Sequence, residues 1–216
     1  IFTVMKVLRF ILFPFAILYD FVTRIRNFFF NIGIFHQTSF KTPVIVVGNL
    51  SVGGTGKTPQ IEYLIRLLKN NFKTAVLSRG YKRETKGFVL LNENHLAIDV
   101  GDEPLQYFQK FKNIDVAVCA NRVKGITNLI KSNTPEVILL DDAFQHRKVK
   151  GSFYILLTKF DELFMDDFLL PMGRLRESRA GAKRADVILV TKCPDDLTKE
   201  SQKLIKQKLL KFNKEV

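Results

Sequence analysis

The 216-residue sequence has no tryptophan, two cysteines and three histidines, and each shortage narrows the function. Cys119 and Cys193 form no CxxC pair and have no histidines at zinc-ligand spacing. Both stand in or beside apolar, strand-like runs, so they are expected to be reduced thiols packed as small apolar groups, in a cytoplasmic compartment. His36 and His95 lack a supporting pattern and are expected to be structural or exposed. The apolar run at residues 10–19 contains Pro14 and is well short of the roughly 20 residues that a spanning helix needs. No small-residue cleavage site follows it, which argues against a secretory signal. Internal repeats are absent. Acidic residues are outnumbered, 21 Asp+Glu against 34 Lys+Arg, and the net charge of +13 favours an anionic partner. Phosphorylated ligands and acidic lipid surfaces remain open; nucleic acid is not expected, because no recognition module accompanies the charge.

What is present is an ordinary globular balance, 46% hydrophobic and 25% charged, which excludes general disorder. The length suits one sizeable α/β domain, alone or with an appendage. Many of the 20 phenylalanines crowd into the first forty residues. There Lys6, Arg9, Asp20, Arg24, Asn27 and Asn31 recur at helical spacing, although Phe13 and Ala16 interrupt the stripe. The other faces carry residues such as Phe15, Leu18, Phe21, Val22, Ile25 and Phe28. The pattern predicts a helix, or two helices kinked near Pro14, with a broad apolar face and basic residues beside it. Such an amphipathic segment, residues 1–36, suits a membrane interface with its arginines near anionic headgroups; the alternative is a helix packed as ordinary core. The remaining chain, 37–216, forms the α/β body.

The strongest motif lies at the start of that body. Val44-Ile45-Val46-Val47 is β-branched throughout and reads as a buried strand, with Pro43 at its entrance. Ser51-Val52-Gly53-Gly54-Thr55-Gly56-Lys57-Thr58 follows, then Pro59 and an amphipathic stretch over 61–68. Strand, glycine loop and helix form the context of a P-loop. Gly53, Gly54 and Gly56 let backbone N–H groups wrap an anion at a helix N-terminus that already favours negative charge. Lys57 is placed to reach the β- and γ-phosphates of a nucleoside triphosphate, and Thr58 to bring its hydroxyl to Mg²⁺. Ser51 replaces the usual first glycine, but the three later glycines keep the chemistry. A second apolar strand, Val137-Ile138-Leu139-Leu140, ends in Asp141-Asp142, the Walker B arrangement for a magnesium ion.

Further strands are expected over 74–78, 116–118, 153–157 and 187–190, and helices over 103–111, 123–131 and 199–210. This alternation predicts an α/β, P-loop NTPase-like fold: a largely parallel sheet covered by helices, with ligands at the carboxyl ends of the strands. Three classes of P-loop protein fit so far. A GTPase would read guanine with [NT]KxD, and Thr191-Lys192-Cys193-Pro194-Asp195 places its aspartate one residue late. A membrane-recruited ATPase switch acting through a protein partner shares the GGTGKT string and an amphipathic helix. Partitioning ATPases of that class carry an additional lysine early in the loop, and Ser51-Val52 supplies none. A small-molecule kinase needs an acceptor base and a cationic cradle besides the phosphate loop. The loops favour this third class: Ser78-Arg79-Gly80-Tyr81-Lys82-Arg83, Gly101-Asp102-Glu103-Pro104, Asn121-Arg122, Phe144-Gln145-His146-Arg147 and Gly173-Arg174-Leu175-Arg176-Glu177.

Taken in order, VGNLSVGGTGKTP (47–59), LSRGYKR (77–83), VGDEPLQ (100–106), NR (121–122), LLDDAFQHRKV (139–149), LLPMGRLRE (169–177) and VILVTK (187–192) resemble the tetraacyldisaccharide 4′-kinases of lipid A biosynthesis in Gram-negative bacteria. The resemblance implies transfer of the γ-phosphate of ATP to the 4′-hydroxyl of a tetraacylated glucosamine disaccharide 1-phosphate, at the cytoplasmic face of the inner membrane. It implies that Lys57 and Thr58 bind ATP·Mg²⁺, with Asp141 and Asp142 as the metal-linked acidic pair. Asp102 becomes the general base, supported by Glu103. Arg79, Arg122, Arg174 and Arg176 become candidates for the substrate's 1-phosphate or the transferring group, with Tyr81, Gln145 and His146 as further substrate candidates. Family members continue into a smaller domain that closes over the nucleotide and contributes a histidine, so this chain is expected to correspond to the N-terminal portion.

Overall fold

The computed structural model describes residues 11–214. Helix α1 spans Phe13–Asn31 and is followed by β1 (Val44–Asn49), α2 (Lys57–Leu68), β2 (Thr74–Ser78), β3 (Val89–Leu90), α3 (Ala97–Val100) and α4 (Asp102–Lys110). Then come β4 (Asp115–Val118), α5 (Arg122–Asn133), β5 (Val137–Asp141), β6 (Phe153–Lys159), β7 (Val187–Thr191) and α6 (Lys199–Leu209), with 3-10 turns at Phe164–Asp166 and Arg179–Arg184. The elements group into two compact units. One holds Gln37–Gly48 and Lys57–Tyr154; the other holds the chain up to His36, Asn49–Gly56 and the chain from Ile155 onward.

In the first of these units the strands lie side by side in the order β3-β4-β2-β5-β1. The β1–β5, β5–β2 and β2–β4 pairs are parallel, and only β3 runs antiparallel to its neighbour β4. Every residue of β2 and β5 is buried. Their apolar runs show no alternation because both faces of a parallel sheet are covered. Val44, Val46, Ala75, Leu77, Ile138 and Leu140 share one core with Ile126 and Leu129 of α5. The residues between them, Val76 and Leu139, are equally inaccessible, and α2, which packs against β5, buries Ile61 and Ile65 completely. The Asn121 side chain caps α5 by accepting a hydrogen bond from the Lys124 N–H.

The other unit pairs β6 with β7 in parallel, Ile155 opposite Val187 and Thr158 opposite Val190. Helix α1 places Pro14 in its first turn, where the missing N–H has no intrahelical partner to lose. The kink expected near Pro14 can be followed no further back, because Lys6 and Arg9 lie outside the described residues. Only Ala16 and Phe30 of α1 are buried. Phe13, Phe15, Leu18, Phe21, Val22 and Phe28 are exposed. Side chains tie it down, among them Tyr19, whose hydroxyl donates to the Arg176 carbonyl (2.8 Å), and Asn27, whose amide donates to the Glu177 carboxylate (2.9 Å). Among the described residues no helix is long and apolar enough to cross a membrane.

The expected strands and helices appear with ends displaced by one or two residues. β3 and α3 are too short to give a periodic signal. One expectation fails: Cys119 is buried, but Cys193 is exposed, because the chain leaves β7 through a left-handed turn at Lys192 (φ 55°). Leu139→Ala in β5 should lower unfolding free energy by about 2–5 kcal/mol through a cavity the sheet cannot close. Leu67→Ala, at a 58% exposed position of α2, should change it by less than about 0.5 kcal/mol. Urea titration of both variants measures the contrast, and similar losses would contradict the assigned burial.

Candidate functional site

The glycine loop leaves the carboxyl end of β1. Gly53 (φ 117°) and Gly56 (φ 83°) adopt conformations that strain any residue with a Cβ, so the sequence can close this turn only with glycine. Buried Asn49 donates its side-chain amide to Thr55 Oγ1 (2.7 Å), and the Thr191 hydroxyl donates to the Thr55 carbonyl (2.8 Å). A short segment braces the loop's first residues. The Val52 N–H donates to the Arg174 carbonyl (2.8 Å) and the Arg176 N–H to the Leu50 carbonyl (2.7 Å). The Arg176 guanidinium also donates to the Asn49 carbonyl (3.0 Å) and to its side-chain oxygen.

Lys57 opens α2, and its ammonium lies 3.8 Å from the Asp142 carboxylate. Thr58 donates its hydroxyl to Glu103 Oε1 (3.2 Å). Glu103 and Asp102 occupy the first turn of α4, where the helix N-terminus favours negative charge. Asp142 sits in the left-handed region (φ 46°), a conformation that aspartate tolerates better than most residues.

Asp141 ends β5 and is 1% exposed. Its Oδ2 accepts from the Ser78 hydroxyl (3.3 Å) and the Tyr107 hydroxyl (3.4 Å), while Oδ1 is buried with no hydrogen-bond partner. Burial, then the Glu103 and Asp142 charges, push its carboxyl up to about 7 against the opposing pull of Lys57 and Arg122. Burial and the same Asp141 charge push the Tyr107 phenol well above its ordinary range, so it serves as a hydroxyl donor. Arg122 is 2% exposed and donates to the carbonyls of Cys119 (2.8 Å) and Asp141 (3.1 Å). Burial lowers its pKa to about 10, which still leaves it charged at neutral pH.

The unpartnered carboxylate oxygen, the Thr58 hydroxyl and the Asp142 carboxylate are hard oxygen donors, which fit Mg²⁺. Among the described residues no group of three His, Cys, Asp or Glu side chains is arranged to hold a metal ion alone. Magnesium bound here would therefore keep water or phosphate oxygens among its ligands, as that ion usually does.

The other expected residues divide by exposure. Arg79 and Tyr81 are exposed on the loop after β2, Tyr81 at 73%. Gln145 and His146 are half-buried in the turns that follow β5. Arg174 is exposed and paired with Glu162 (2.8 Å) and Asp167 (3.5 Å), whereas Arg176 is half-buried against Asn49. Arg122 is enclosed among strand ends. Tyr107 and Glu162 belong to no motif; nothing in their local sequence announces a partner 34 or 12 residues away, respectively.

The sequence pattern of the family described as tetraacyldisaccharide-1-P 4′-kinase matches residues 8–215. A curated tetraacyldisaccharide 4′-kinase of Flavobacterium johnsoniae is 64% identical over 95% of this chain and 61% of its own length. Its counterpart in Bacteroides thetaiotaomicron is 50% identical over 92% of this chain and 53% of its own length. A solved structure, LpxK from Aquifex aeolicus in complex with ATP, superposes with a TM-score of 0.81 at 37% identity, covering 89% of this chain and 62% of that one. The chain thus spans between half and two thirds of the length of these relatives.

The raised pKa of Asp141 has a stability consequence of definite sign. Its carboxyl ionises near 3.8 when unperturbed and near 7 in the folded protein. Between these values the unfolded chain gives up the proton while the folded protein keeps it, so this group removes stability as pH rises and removes none below the unfolded pKa. In metal-free buffer, Asp141→Asn should therefore stabilise the protein by roughly 1–4 kcal/mol more at about pH 8 than at about pH 4. Chemical denaturation at the two pH values tests this, and a pH-independent effect would contradict the assignment.

Proposed function

The chain belongs to the tetraacyldisaccharide-1-P 4′-kinase family, and from that membership we propose that the protein transfers the γ-phosphate of ATP to the 4′-hydroxyl of a tetraacylated glucosamine disaccharide 1-phosphate in lipid A biosynthesis. One observation supports this most directly: the Thr58 hydroxyl meets Glu103 at 3.2 Å. The loop's magnesium-binding position is thereby joined to the first turn of α4, beside Asp102.

In this reading the N–H groups of residues 51–56 cradle the phosphates, and Lys57 moves from Asp142 to the β- and γ-oxygens. Asp102, exposed beside Glu103, accepts the proton of the sugar hydroxyl as its oxygen bonds to the γ-phosphorus and the bond to ADP breaks. Thr58, Asp141 and Asp142 would hold magnesium, which would supply neutralisation of the phosphate charge. Glu103 orients Thr58, and Arg122 holds the Asp141 backbone carbonyl. Arg79, Tyr81, Gln145 and His146 are assigned to the acceptor's sugar and 1-phosphate, and Arg176 to the framing of the phosphate loop.

Residues 1–36 are assigned as the membrane-associating segment and 37–216 as the kinase body. The exposed phenylalanines of α1, accompanied by Arg24 and Arg26, would lie in the interfacial layer of the cytoplasmic leaflet of the inner membrane. The lipid acceptor would then be reached without extraction from the bilayer.

The full-length protein with ATP, Mg²⁺ and the lipid acceptor should give a bis-phosphorylated lipid, detected by mass spectrometry. Asp102→Ala should lower kcat by about 10²–10⁴ with ATP affinity retained. Full activity in that variant would remove the base assignment, and absence of product with wild-type protein would overturn the function. Phe15→Ser combined with Phe21→Ser should reduce sedimentation with anionic vesicles at least severalfold, with nucleotide binding unchanged.

A further inference from the structure

The unit that carries residues 49–56 also carries a set of charges of which only Arg174 belongs to a sequence motif. A small cavity beside the glycine loop is lined by Ser51 to Thr55 together with Lys159, Glu162, Asp167 and Arg174. Arg174 bridges the two acids: one guanidinium nitrogen is 2.8 Å from Glu162, and Nε is 3.5 Å from Asp167. Its backbone N–H also donates to Asp167 (3.3 Å), and its carbonyl receives the Val52 N–H (2.8 Å). Lys159 stands 3.8 Å from Glu162 and 3.4 Å from Asp161.

Two carboxylates beside a loop that binds polyphosphate are a liability unless their charge is cancelled. Their field repels the ligand, and the repulsion falls off slowly over the few ångströms that separate lining residues. Stability does not explain them. The side chains of Arg174 and Glu162 are 47% and 40% exposed, and ion pairs this open to water contribute little to folding. The guanidinium holds the Glu162 carboxyl below its ordinary range, so the acid stays charged at neutral pH.

We infer that Arg174 is a positioning and charge-cancelling residue: held by Glu162 and Asp167 next to Ser51–Thr55, it sets the affinity of the loop for a nucleoside triphosphate without itself bonding the phosphates. This rests on the nucleotide reading of the loop. It differs from a phosphate-contacting arginine in one respect: its value depends on the two acids being present. Removing the arginine alone leaves the two acids in excess of Lys159, and removing all three takes that excess negative charge away.

Binding of ATP to the full-length protein, measured by calorimetry at low and high salt, tests the inference. Arg174→Ala should weaken binding by on the order of tenfold at low salt, with the loss shrinking as salt screens the acids. Combining Arg174→Ala with Glu162→Gln and Asp167→Asn should return affinity to within about threefold of wild type. Arg174→Lys, which keeps the charge, should do the same. Thermal melting of each variant checks that the fold is intact. A triple variant as weak as Arg174→Ala would show a direct phosphate contact and overturn the inference, as would an Arg174→Ala protein that binds like wild type. Wild-type protein that bound no ATP would instead overturn the nucleotide reading itself, and this inference with it.

Discussion

The candidate site is organised around one buried carboxylate. Asp141 is almost wholly removed from water, with two neighbouring acids raising its energy further. An ion in that position requires compensation, and the surrounding fold supplies it piece by piece. Ser78 at the end of β2 and Tyr107 in α4 donate to one oxygen. Arg122, at the start of α5, spends its donors on the neighbouring carbonyls, and Lys57 adds charge from the start of α2. One oxygen is left without a partner. The arrangement is incomplete as it stands, and a hard cation beside that oxygen would complete it.

The same constraint explains why α4 begins where it does. Its first turn carries Asp102 and Glu103, whose charges suit a helix N-terminus and whose position brings Glu103 to Thr58. Tyr107 is fully buried on the same helix and donates its hydroxyl to Asp141 (3.4 Å). A helix that reads locally as acidic at one end and apolar along one face therefore joins the buried Asp141 to the proposed base.

Much of this was legible in the sequence. The strands are continuous apolar runs because a parallel sheet is buried on both sides, and that burial leaves an unmistakable pattern. The glycine loop was legible because positive φ at Gly53 and Gly56 permits few other residues. Exposure was harder to read. Cys193 follows an apolar strand yet faces water, and Arg122 belongs to a motif yet is enclosed, because composition does not say which side of a strand end a chain turns toward. Arg174 and Arg176 are two residues apart and look alike in sequence, but one is held between exposed acids and the other against Asn49.

By itself the sequence determined the order of strands and helices, the phosphate loop and the family, since these depend on residue type and spacing along the chain. Tertiary structure alone decided which carboxylate is buried, which arginine is occupied and which hydroxyls converge on Asp141. Those outcomes depend on contacts between residues distant in sequence, and on how much water each charge retains once the sheet has closed around it.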